Sequence, residues 1–110
     1  MKLGVTLHAT DLSMAVPDLA REAEARGFYS LYIPEHTHIP TSRRTPPPTG
    51  DAELSEEYLR SVDPYIALAG AAAVTENIRL GTGIGLAAQH DTLTFAKQLA
   101  TLDHLSEGRL

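Results

Sequence analysis

Leu3, Val5 and Leu7 alternate with Gly4 and Thr6 at the start of the chain. A period of two puts one set of side chains on each face of an extended segment, so residues 2–7 are predicted as a strand. The period then lengthens. Val16, Leu19, Ala20 and Ala23 recur at helical spacing, Pro17 suits a first turn and Gly27 suits a left-handed helix end, which predicts a helix over about 14–26. The segment FYSLYI, stopped by Pro34, predicts a second strand over about 28–33. DPYIALAGAAAVTEN predicts a second helix over about 64–76, with Asp63 as its N-cap and Pro64 at the first helical position. IRLGTGIGLA, with Gly81, Gly83 and Gly85 at alternate positions, predicts a third strand over about 78–86. A third helix over about 92–106 is capped by Asp91 and ended by Gly108.

Residues 37–62 break the rhythm. Five of the seven prolines lie between Pro34 and Pro48, and DAELSEEYLR holds at most one short helix. An irregular stretch of that length in a compact domain is usually functional or mobile, so a long active-site loop is expected over 37–62. Strand and helix otherwise alternate three times, which implies an α/β fold with parallel strands in a single domain over 1–110.

Composition narrows the function. The chain has 110 residues, 43% of them hydrophobic, and a formal net charge of -5. That is globular rather than disordered. The acidic balance and the scattered basic residues argue against nucleic-acid binding. The absence of cysteine excludes thiolate chemistry and disulfides. No stretch approaches the ~20 apolar residues of a membrane span, and the N-terminus lacks the pattern of a signal peptide, so a cytoplasmic protein is expected.

In parallel α/β sheets ligands bind at the carboxyl ends of the strands. That topology gathers His8 and Thr10, then Glu35, His36 and His38, then Thr82, Gly83, Ile84 and Gly85. The stretch YIPEHTHIP is the most loaded of these. A metal site is not expected there, because neighbouring residues at a strand end point to opposite sides and no zinc-ligand spacing is present. An acid/base role remains open. A carboxylate beside His36 would raise its pKa and favour the protonated form. The alternative is that Glu35 and His36 cap loop backbone groups. GTGIG is neither a dinucleotide fingerprint nor a Walker loop. Its glycines would let a flat ring approach, or would serve close packing. Tyr29, Tyr32 and Phe95 are expected to fill core, and His90 to be a loop residue near the ligand face.

GFYSLYIPEHTHIP, DPYIALAGAAAVTENIRLGTGI and QLATLDHLSEGR, taken together and in this order, resemble the bacterial luciferase-like monooxygenase family of flavin- and deazaflavin-dependent oxidoreductases. The resemblance implies a (β/α)8 TIM-type barrel, of which these residues would be the N-terminal three βα units. It implies reduced FMN with molecular oxygen, or deazaflavin coenzyme F-420 with hydride transfer, acting on a small-molecule substrate. It makes His36 the proton donor/acceptor or charge stabiliser and Glu35 its orienting residue or a cofactor contact. It places Thr82, Gly83 and Ile84 behind the ring, in a backbone bulge that sometimes holds a cis peptide, and His8 on the substrate side. His38 is left as a loop residue. Thr92 stands where the family commonly has proline, which alters a helix start and not the chemistry.

A full barrel takes ~250 residues. Three parallel strands cannot close one and leave open edges. The chain is therefore expected to be a piece of a longer gene product, inactive by itself, whose phosphate-binding groups lie elsewhere. Its expected partner is the remainder of the barrel or a further copy in a homo-oligomer. The alternative is a non-catalytic α/β module that self-associates or complements another barrel fragment.

Overall fold

The computed structural model describes residues 1–47, 50 and 53–110. Three parallel strands, β1 (Gly4–Thr6), β2 (Ser30–Ile33) and β3 (Arg79–Thr82), form one sheet in the order β1-β2-β3. Val5, Leu31 and Leu80 are register partners, so period-two alternation sends them to one face together. That face is covered by α1 (Val16–Ala25), α2 (Pro64–Ala72) and α3 (Thr92–Leu105), with α2 packed between the other two. Leu31, Ile33, Leu68, Ile78, Ala20 and Ala71 are buried at the centre of the resulting core.

The helices start where their caps dictate. Asp63 accepts a hydrogen bond from the Ile66 N–H at 2.8 Å, and Asp91 accepts one from the Thr94 N–H at 2.9 Å. The Asp91 carboxyl is held below its ordinary pKa by the Thr94 hydroxyl and backbone N–H. α2 stops at Ala72, four residues short of the predicted 76, because the chain turns into a loop gripped from two sides. Glu24 accepts hydrogen bonds from the N–H groups of Glu76, Asn77 and Ile78. Arg109, nearly buried, donates to Thr75 Oγ1, Thr75 O and Ala72 O.

The other sheet face is uncovered. Thr6 is exposed, and Tyr32 lies across this face with 41% of its surface accessible. The expectation that Tyr32 and Tyr29 fill core is thus corrected. Tyr32 sits between Leu31 and Ile33, and alternation sends it away from the helices. The edge beyond β3 is already engaged, since the Leu80 N–H donates to Arg109 O at 2.8 Å. No helix among the described residues is long and apolar enough to cross a membrane.

The later part of the predicted loop 37–62 holds regular structure. A short 3-10 helix spans Glu56–Leu59, and an isolated antiparallel bridge joins Ser61 to Thr10. Pro48, the last of the proline run, and the start of DAELSEEYLR at Asp51 and Ala52 lie outside the described residues.

Candidate functional site at the carboxyl ends of the strands

β2 ends at Ile33, and the next residues divide the space beyond it. His36 turns to one side and Glu35 to the other. On the His36 side, the imidazoles of His8 and His36 stack with centroids 5.3 Å apart and planes 10° from parallel. Tyr58, from the 3-10 helix, meets both rings edge-on, at 4.8 Å from His8 and 4.7 Å from His36. His8 is fixed by a 2.6 Å hydrogen bond between Nε2 and Ser61 Oγ, and the Val62 N–H donates to Ala9 O beside it. The adjacent cation, Arg60, is committed to Asp11 and Glu56. His36 has no hydrogen-bond partner among the described residues.

This arrangement reverses the expected electrostatics of His36. Burial is the largest influence and lowers its pKa, and the nearby His8 lowers it further. Glu35 pulls the other way and does not prevail. The imidazole therefore favours its neutral form, because protonation would place a charge in a half-buried site beside a second titratable ring.

Glu35 lies on the opposite side and is 2% exposed. Its carboxylate is not paired with His36. Oε1 meets His90 Nε2 at 2.5 Å, and Oε2 accepts from the Leu86 N–H at 2.6 Å and from the Tyr65 hydroxyl at 3.2 Å. The expectation that Glu35 orients His36 is corrected accordingly. His90, read as a loop residue, is stacked on Phe95 at 4.2 Å with Tyr65 edge-on to both rings. Burial and the charge of Glu35 push the Tyr65 phenol up to about 12, so it stays a donor. Two loops are thereby tied together, and a further bond from Thr37 Oγ1 to Gln89 Oε1 at 2.7 Å repeats the tie at the surface.

β3 ends at Thr82, not near 86. Beyond it the Gly83 N–H still donates to Ile33 O, and the Glu35 N–H donates to Ile84 O, but the chain leaves the strand and the Gly83–Ile84 peptide bond is cis. The resemblance implies a backbone bulge at this position. Close packing accounts for two of the GTGIG glycines. A Cβ on Gly81 would come within 2.9 Å of the Tyr32 ring, and one on Gly85 within 2.7 Å of Thr82 Oγ1 and 2.9 Å of the Tyr65 hydroxyl. What this turn offers a ligand is Ile84, 78% exposed, with the exposed Gly83 beside it.

The structure therefore brings His8, His36, Thr82, Gly83 and Ile84 to the carboxyl ends of three adjacent strands and withdraws Glu35 into the fold. His38 is exposed and bonded through Nδ1 to Thr37. Sequence reasoning missed Tyr58, Tyr65 and His90. A signal for the last two existed. Helices in a parallel βα array start at the ligand end, and Tyr65 and His90 sit within two residues of the caps Asp63 and Asp91. An apolar shelf beside a neutral imidazole fits the ring end of a flavin-type coenzyme.

Three kinds of relative share this sequence. A protein of uncharacterized function from Mycobacterium tuberculosis (strain ATCC 25618 / H37Rv) is 47% identical over 112 aligned residues, which cover 100% of this chain and 40% of that protein. A luciferase-like monooxygenase of Escherichia coli (strain K12) is 32% identical over 93 residues, covering 84% of this chain and 23% of its own. The crystal structure of the monooxygenase RslO1 from Streptomyces bottropensis superimposes with a TM-score of 0.75 at 32% identity, over 100% of this chain and 31% of that one. The chain thus spans less than half the length of each. Its residues 4–110 match the family model of luciferase-like monooxygenases, and the chain belongs to that family.

Proposed function

We propose that this chain forms the first three βα units of a (β/α)8 oxidoreductase of the luciferase-like type, which works on a small-molecule substrate with reduced FMN and molecular oxygen or, by hydride transfer, with a deazaflavin. The observation that carries the reading is that the stacked His8 and His36 rings and the exposed Gly83–Ile84 turn stand at the carboxyl ends of adjacent parallel strands. A bound flavin-type ring supplies the hydride transfer or the activation of oxygen.

The chain's own residues supply the rest. Ile84 and the backbone of Thr82 and Gly83 would hold a flavin-type ring and exclude water from it. His36 takes a proton at a ring nitrogen and returns it, a role that suits a group whose pKa lies at or below neutrality. His8, held by Ser61, lines the substrate side, and Tyr58 closes over both imidazoles. Glu35 supports the site without touching it. The uncovered sheet face and the strand edge beside Arg109 fit a chain completed by further βα units.

Fluorescence titration tests this. The 110-residue chain alone should bind FMN and deazaflavin more weakly than ~1 μM. Mixed with a polypeptide carrying the remaining βα units of a full-length relative, it should bind one of them in that range, and His36→Ala should abolish turnover. Tight binding by the chain alone, or none in the mixture, would contradict the proposal. A discrete oligomer that binds neither coenzyme in either setting would favour a self-associating α/β module instead.

A further inference from the structure

We infer that His90 and Tyr65 close a latch on the buried carboxylate of Glu35 that sets the position of the turn after β3, and that His90 acts through it as a positioning residue for the ligand-facing shelf. The name of the shelf rests on the proposed function. The latch rests on contacts alone.

A carboxylate taken out of water is costly unless donors surround it. Three donors converge on Glu35 from three segments: the Leu86 N–H, His90 Nε2 and the Tyr65 hydroxyl. A carboxylate of this kind only accepts, so His90 carries a proton on Nε2. The backbone closes the grip, since the Glu35 N–H donates to Ile84 O. Ile84 is thus held by its own carbonyl on one side and by Leu86, two residues on, on the other. Its side chain is the part left exposed.

His90 is the member of the latch held by both a hydrogen bond and ring stacking. Its ring is stacked on Phe95 and meets Tyr65 edge to face, with one nitrogen aimed at Glu35. Its partner is Glu35, whereas His36 packs against His8 and Tyr58. A change at His90 should reach the ligand face only by letting residues 83–86 move.

Two substitutions separate donor from filler. His90→Gln keeps an N–H for Glu35 and loses the flat ring. His90→Phe keeps the ring against Phe95 and loses the N–H. NMR on the 110-residue chain should show His90 as the Nε2–H form and a slowly exchanging Leu86 amide. His90→Phe should speed that exchange at least about tenfold and shift the Ile84 methyl resonance. His90→Gln should keep both near the parent values, and the titration of His36 should stay in place in both variants. The latch is overturned if His90 in the parent chain carries its proton on Nδ1 with Nε2 bare. It is equally overturned if His90→Phe behaves as the parent while His90→Gln does not. The tautomer is read without any variant, so a substitution that prevents folding leaves the test standing. A chain that passes, yet binds no flavin even when mixed with the remaining βα units, contradicts only the proposed function.

Discussion

Glu35 and His36 are adjacent in sequence and belong to different parts of the molecule. Glu35 looks inward, where every polar atom must find a partner, and it has found Leu86, His90 and Tyr65. His36 looks outward, where ring contacts with His8 and Tyr58 leave its nitrogens available. Alternation at a strand end separates the two. The lesson is that the more strongly charged residue of the pair, Glu35, is the one used for structure. The imidazole, whose nitrogens have no hydrogen-bond partner among the described residues, is the one we propose for chemistry.

Removing each side chain should expose the difference. Glu35→Ala leaves three half-buried polar groups without their partner and should cost about 3 kcal/mol in urea unfolding. His36→Ala should cost no more than ~0.5 kcal/mol in the same measurement, as expected of a side chain whose loss strands no partner. Equal costs would erase the distinction.

Glu24 sharpens the comparison from the opposite end of the sheet. It too is a carboxylate used for structure, accepting three backbone N–H groups in the α2–β3 loop, but it is only half-buried. Glu24→Gln should therefore cost less, about 1 kcal/mol. Burial acts to raise the Glu24 pKa, yet the hydrogen bonds from Asn77, Ile78 and Glu76 bring it below the ordinary value. A depressed carboxyl pKa gives stability that is present above the unfolded value and lost as pH falls through the folded one. The parent chain should therefore lose stability on acidification below about pH 4.5 more steeply than Glu24→Gln, as read from unfolding midpoints across pH.

Much of the scaffold was legible because its determinants are local. Alternation in KLGVTL and FYSLYI, and the Asp-Pro and Asp-Thr starts of α2 and α3, act within one turn or one strand. The end of β3 was not legible. IRLGTGIGLA continues to alternate past Thr82, and what bends the chain there is Glu35, some fifty residues earlier. The same distance hid the pairing of Glu35 with His90, so nearness in sequence favoured His36 as the carboxylate's partner. Tyr58 was hidden because the irregular stretch 37–62 gives no periodicity to read. The glycines of GTGIG were legible as a demand for close approach, but the approaching groups are Tyr32, Thr82 and Tyr65 of the same chain.

The central claim is that His36 answers to His8 and to burial rather than to the carboxylate beside it in sequence. Titration of the His36 ring by NMR tests this directly, in the parent chain and in His8→Gln. The account predicts a pKa below the ordinary value of about 6.5 in the parent and a rise toward it when His8 is removed. A His36 that titrates above that value in the parent chain and does not respond to His8→Gln would contradict it.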